Sequence, residues 1–175
     1  MELTIRCGAQ EDIGALVQLY DDLNDHLAST INYPGWKKGV YPTLQDAAQG
    51  IREGTLHVAT WHDEIVGSLI LRHSAEPAYL TAPWRASLEE SLVFVLYTLV
   101  VNPKYLHQGV GKSMLAFADA HARECGVKAL RLDVYEKNLP AIRLYEACGF
   151  EFVAAVSMGL EHYGLDRFFL YEKLL

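Results

Sequence analysis

The sequence predicts an α/β domain with helices flanking a mixed sheet, and three observations carry that prediction. Short apolar or alternating runs of strand length alternate along the chain with segments whose apolar residues recur at helical spacing. The continuous apolar run from Ser91 to Val101 has the composition of a central strand covered on both faces. After it come a proline-marked loop, two glycines, a helix-periodic segment and another alternating strand, the order of a right-handed parallel crossover.

Leu3 and Ile5 alternate in a short first strand. Ile13, Leu16, Val17, Tyr20 and Leu23 then follow helical spacing, with Glu11 and Asp12 suited to the positive first turn. Between His26 and Pro42 lies a segment with Ile31, Tyr33, Pro34, Trp36 and Tyr41; it either walls an acceptor pocket or covers the core. Thr43 and Asp46 have capping-box spacing for a helix through Leu44, Ala47, Ala48 and Ile51, ended by Gly54. Leu56 to Thr60 and Ile65 to Leu71 flank a turn at His62-Asp63-Glu64 and predict an antiparallel hairpin. His73 to Glu90, with Pro77 and Pro83 and no clear period, reads as a long loop, a lid or an acceptor wall.

Beyond the central strand, Val110, Met114, Phe117, Ala118, His121 and Cys125 share a helical face that Gly126 terminates. Leu130, Leu132 and Val134 alternate in the next strand. Asn138 is placed to cap a helix whose first turn accepts Pro140 and which continues through Ile142, Tyr145 and Cys148 to Gly149. Phe150 to Val156 and Phe168 to Leu174 are the closing strands, separated by Met158 to Asp166.

A chain of 175 residues is expected to form one domain spanning residues 1–175 and to bury about 70% of its unfolded surface. A net charge of −7 argues against general nucleic-acid binding, which needs a basic face. Cys7, Cys125 and Cys148 fit no zinc spacing, so no metal is expected. Two of them fall in predicted helices, and buried reduced thiols in a cytoplasmic protein are the expectation. No basic segment followed by an apolar run opens the sequence, and Ser91 and Thr98 interrupt its longest apolar region; neither export nor a membrane span is expected.

The stretch Leu99-Val-Val-Asn-Pro-Lys-Tyr-Leu-His-Gln-Gly-Val-Gly-Lys112 carries the chemistry. The first turn of a helix has N–H groups without partners, and Gly109 and Gly111 let a ligand approach that backbone closely. With the helix dipole added, the guest such a loop suits is a phosphate or pyrophosphate.

A second motif follows: Asn138-x-x-Ala141-x-x-Leu144-Tyr145-Glu146-x-x-Gly149-Phe150. Together the two motifs resemble the GNAT N-acetyltransferase family, and the element order along residues 1–175 is compatible with that fold throughout. The resemblance implies a mixed, mostly antiparallel sheet in which the central strand and its parallel neighbour splay apart around the pantetheine arm of acetyl-coenzyme A. Backbone groups of Leu99 and Val101 would bond that arm as an added strand would. The N–H groups of His107, Gln108, Gly109, Val110, Gly111 and Lys112 would receive the pyrophosphate, with Asn138 and Ala141 on the other side of the coenzyme. Tyr145 sits where the family has its general acid, and a phenol with a pKa of about 10 stays protonated to serve a leaving thiolate. An aromatic core residue on an amphipathic helix is the other reading of Tyr145.

The sequence departs from the family pattern at two places. Leu106 replaces the Arg or Gln that usually begins the phosphate loop, leaving backbone N–H groups, His107, Gln108 or Lys112 to compensate. The central strand has no carboxylate from Phe94 to Val101. Glu89, Glu90, Tyr97 and His26 are the nearest candidates for a base by family layout, each with an ordinary packing or surface role as the alternative. His162, Tyr163 and Asp166 lie on a loop that often contacts acceptors in relatives, and a polar turn explains them equally.

Two other assignments compete with acetyl transfer. Gln108 to Ser113 superficially resembles a nucleoside-triphosphate phosphate loop, with Asp133 imitating its magnesium-binding acid, but that pattern requires glycine where Leu106 stands. The other is a non-catalytic acyl-coenzyme-A-binding sensor or partner module. The reading retained is acetyl transfer from acetyl-coenzyme A to a primary amine by direct attack in a ternary complex. The acceptor is a small molecule by slight preference, a protein terminus being the alternative, and relatives commonly form dimers.

Overall fold

The computed structural model describes residues 2–175, and they divide into two compact units. The first comprises the chain as far as Asn32, Trp36–Leu71 and Tyr97–Phe117; the second comprises Tyr33–Gly35, Arg72–Leu96 and Ala118–Leu175.

In the first unit, β1 (Thr4–Cys7) pairs antiparallel with β2 (Leu56–Trp61), which pairs with β3 (Glu64–Arg72). The hairpin turn is tighter than the sequence suggested. Only His62 and Asp63 lie outside the strands, both with positive φ (48° and 63°), the backbone twist that matches a two-residue hairpin. Helix α1 (Ile13–Ser29) extends beyond its expected end and absorbs His26, whose carbonyl accepts the Ser29 and Thr30 hydroxyls. Helix α2 (Leu44–Arg52) starts where the spacing placed it, and the Asp46 carboxylate accepts the Thr43 N–H and hydroxyl, both at 2.7 Å. Leu16, Leu19 and Tyr20 of α1 and Ala47 of α2 pack on Leu56, Val58, Ile65 and Ile70 of the hairpin.

The central strand, β4 (Val93–Val101), and helix α3 (Val110–Glu124) each pass from one unit into the other. In the second unit the start of β4 pairs parallel with β5 (Ala129–Tyr135), over Val93–Ala129 to Val95–Arg131 only. β5 then pairs along its whole length with β7 (Phe168–Leu174), and β6 (Glu151–Val156) adds an outer antiparallel strand. Helix α4 (Leu139–Ala147) connects β5 to β6. The seven strands are ordered β1-β2-β3-β4-β5-β7-β6, a mixed sheet with one parallel pair and flanking helices, the expected fold class.

The segment from His73 to Glu90 is anchored rather than loose. The Tyr79 hydroxyl donates to Asp133 of β5 at 2.9 Å, and the Trp84 indole N–H donates to the Tyr79 carbonyl at 2.8 Å. Arg131 of β5 lies 4.2 Å beneath the Trp84 ring and donates to Glu172 of β7 and to the Ala86 carbonyl, both at 2.9 Å. Glu172, fully buried, also accepts the Arg85 N–H. Its charge is thus paired and its oxygens are occupied, the condition for holding a carboxylate out of water.

One expectation is corrected: Cys7 and Cys125 are exposed and Cys148 is half-buried, all three as free thiols. Helical spacing put Cys125 on the inner face, but it falls at the end of α3, where burial has passed to Val127. Among the described residues, no helix is long and apolar enough to cross a membrane.

Candidate active site

In the first unit the site begins at an irregular residue within β4. Thr98, mid-strand, has φ of 49°, a left-handed conformation that costs a β-branched residue on the order of 1–3 kcal/mol and needs local support. Support comes from Tyr41, whose hydroxyl bonds the Thr98 hydroxyl. Beyond Thr98, Leu99 and Val101 are half-buried while Val100 is fully covered. Gly67 of β3 makes the close approach possible: a Cβ there would lie 2.9 Å from the Val100 carbonyl oxygen and 2.8 Å from the Met114 sulfur.

Buried Asn102 ends the strand. Its N–H donates to the Val66 carbonyl and its side-chain oxygen accepts the Lys104 N–H at 3.0 Å, starting a short turn at Pro103–Tyr105. His107 (φ 62°) and Gly109 (φ 85°) then turn the chain into α3. The first helical bond runs from the Ser113 N–H to the Gly109 carbonyl, so the Val110, Gly111 and Lys112 N–H groups precede the intrahelical ladder. A Cβ built on Gly109 meets nothing within 4 Å, and His107, Gln108 and Lys112 are exposed. Gln108 is partly committed elsewhere: its side chain donates to the Lys104 carbonyl at 3.1 Å and its N–H to the Tyr105 carbonyl at 3.4 Å. Open backbone at a helix N-terminus with two exposed lysines, Lys104 and Lys112, suits an anionic guest such as a pyrophosphate.

In the second unit Asn138 caps α4, its side-chain oxygen accepting the Ala141 N–H at 3.4 Å, while its own N–H donates to the Tyr135 carbonyl. Ala141 is half-buried. Tyr145 is 7% exposed and its ring meets Phe150 edge-on at 5.8 Å.

The second unit also holds a strongly perturbed acid, Asp133, which the sequence offers only as an imitation of a magnesium-binding residue. It stands on β5 between Leu132 and Val134. Burial is the leading cause that pushes its carboxyl up to about 6; Glu76 adds to the rise, and the hydrogen bond from Tyr79 opposes it. A carboxylate poised near neutrality is suited to accept a proton. The available signal was its position toward the carboxyl end of a parallel strand, where ligand sites of open α/β sheets gather.

The other candidates for a base are dispersed. Glu89 and Glu90 are exposed, Tyr97 packs against the first unit's core, and His26 belongs to α1. His162 and Tyr163 lie exposed on the turn Glu161–Tyr163, their rings 4.1 Å apart, and Asp166 is exposed beyond it. An open cavity of about 270 Å³ in the second unit is lined by Glu76, Pro77, Ala78, Ser157, Met158 and Gly159.

A model of the acetyltransferase (GNAT) family matches residues 17–150. Among curated proteins the chain is similar to a mycothiol acetyltransferase of Propionibacterium freudenreichii, 37% identical over 34% of this chain and 19% of that protein. It is also similar to the ribosomal protein bS18-alanine N-acetyltransferase of Escherichia coli, 38% identical over 31% of this chain and 37% of that protein. These matches span less than two fifths of either relative's length. Among solved structures, the PaiA N-acetyltransferase of Thermoplasma acidophilum in complex with coenzyme A shares the fold across both whole chains, with a TM-score of 0.72 and 20% identity.

Proposed function

The chain belongs to the acetyltransferase (GNAT) family, and from that premise we propose that it is a single N-acetyltransferase domain that moves an acetyl group from acetyl-coenzyme A to a primary amine. The observation that carries this reading is the open, left-handed Gly109 turn leading into the N-terminus of α3. Its backbone donors and lysines fit the pyrophosphate of the coenzyme. Leu99 and Val101 would hold the pantetheine arm through their backbone, His107 to Lys112 the phosphates, and Asn138 and Ala141 the remaining side. Bound there, acetyl-coenzyme A supplies the reactive thioester.

The chain's own residues then handle two protons. Asp133, titrating near 6, takes one from the acceptor ammonium, freeing the nitrogen lone pair for direct attack. Tyr145 donates its phenolic proton to the departing thiolate and is restored by the second proton, which the nitrogen sheds as it becomes an amide. Its ring is held by burial and by the edge-on contact with Phe150.

The named relatives act on mycothiol and on a ribosomal protein's alanine, so a small molecule and a protein terminus both stand as acceptor classes. The experiment is release of free thiol from acetyl-coenzyme A with a panel of amines: spermidine, free amino acids, an aminoglycoside and a peptide beginning with alanine. Amine-dependent thiol release supports the enzyme. Coenzyme binding without turnover of any amine supports the non-catalytic sensor instead.

A further inference from the structure

We propose that Tyr79 is the positioning residue for Asp133, and that the segment from His73 to Glu90 is a fixed arm whose task is to carry the Tyr79 hydroxyl to that carboxylate. The proposal rests on the reading of Asp133 as the group that takes the acceptor's proton.

Long loops rarely bury large aromatics without a purpose, because ordering each residue costs conformational entropy. This one buries Tyr79 to 2% exposure and holds it through Trp84, which is itself held in place. The Trp84 ring packs on Tyr79 at 5.2 Å, and the Trp84 indole N–H holds the Tyr79 carbonyl. Arg131 lies beneath the Trp84 ring and binds the Ala86 carbonyl. Glu172 accepts both Arg131 and the Arg85 N–H. The chain of contacts ends at the Tyr79 hydroxyl, 2.9 Å from the Asp133 carboxylate.

The other groups around Asp133 do not substitute for it. Its register partner on β7 is Leu170. Arg131 and Tyr135 share its face of β5, but Arg131 is committed to Glu172 and Ala86, and the Tyr135 hydroxyl donates to the Gly164 carbonyl at 3.3 Å. Glu76, on the same arm, presses the carboxyl toward its protonated form. The backbone N–H of Asp133 gives a smaller push in the same direction, and Tyr79 is the leading donor that favours the ionised form against burial and Glu76. Without it a large share of the Asp133 carboxyl would be protonated at neutral pH, and the carboxyl would lose its fixed direction.

The test is a carbon-13 NMR titration of the Asp133 carboxyl, assigned with Asp133→Asn, in the full chain and in Tyr79→Phe. The expected result is an upward shift of the midpoint by about one pH unit, the worth of one hydrogen bond to a charged group. Trp84→Leu, which loosens the arm while leaving both partners in place, should shift it the same way by less. With any amine the protein acetylates, the acidic limb of kcat/KM in Tyr79→Phe should move by the same amount as the midpoint, with KM for acetyl-coenzyme A unchanged. An unmoved midpoint in both variants, each shown to be folded by its melting curve, overturns the proposal. So does a moved midpoint with an unmoved acidic limb. If no amine in the panel is acetylated, the acetyltransferase reading fails, and the NMR titration still decides the coupling of Tyr79 to Asp133.

Discussion

Replacing Asp133 with asparagine should make the protein more stable and less active at once. In the folded chain the Asp133 carboxyl titrates near 6, about two pH units above its ordinary value, chiefly because burial disfavours the charge. Each unit corresponds to about 1.4 kcal/mol, so the ionised carboxylate costs roughly 3 kcal/mol of stability at neutral pH. The sign follows from proton binding. Between about pH 4 and pH 6 the folded state holds the proton more tightly than the unfolded chain, so stability falls as pH rises through that window and the loss is complete above it. Asparagine removes the charge yet still accepts the Tyr79 hydroxyl, while its amide must find an acceptor of its own; the net gain at about pH 7.5 should be about 1–3 kcal/mol. In a chain of 175 residues this raises Tm by several degrees. Urea denaturation of both proteins from about pH 4 to pH 8 is the assay, with the gap closing toward the acid end. A variant no more stable than the parent at pH 7.5, or a gap independent of pH, would refute the account of a carboxylate whose charge is disfavoured by desolvation.

Four further outcomes are expected. Gly67→Ala should cost about 1–3 kcal/mol in urea denaturation, because its Cβ meets the backbone oxygen of Val100 as well as the flexible Met114. Glu172→Ala should cost about 3–5 kcal/mol by leaving the Arg131 guanidinium buried without its carboxylate, and its melting curve checks this. Gly109→Val places a β-branched residue at φ 85° on the open loop; calorimetry should show acetyl-coenzyme A affinity falling at least about tenfold. Tyr145→Phe should lower kcat about 100-fold or more while leaving the Kd for acetyl-coenzyme A unchanged, the mark of a proton donor that acts late; wild-type turnover would return Tyr145 to the core.

Local signals in the sequence located most of the elements. The Thr43–Asp46 spacing placed the start of α2, and Asn138 with Pro140 placed that of α4, because caps and fixed proline torsions act within a few residues. The glycine turn after Pro103 could be read for the same reason. Thr98 could not: its left-handed backbone is stabilised by Tyr41, 57 residues away in the chain. The anchoring of the 73–90 segment was hidden likewise, since it depends on a cation–π contact and a buried ion pair to strands far along the sequence. Asp133 was visible as a residue but not as a perturbed acid, because burial and the reach of Tyr79 are properties of the folded chain. Cys125 shows the converse error, where helical periodicity was continued past the end of the buried face.

The most direct test of the central claim is a calorimetric titration of the purified protein with acetyl-coenzyme A, alongside magnesium-ATP. The account predicts micromolar binding of acetyl-coenzyme A and no comparable binding of the nucleotide. No heat with acetyl-coenzyme A would mean that the loop carrying Leu106 no longer holds the coenzyme, and tight magnesium-ATP binding would identify it as a nucleotide loop; either result contradicts the acetyltransferase reading.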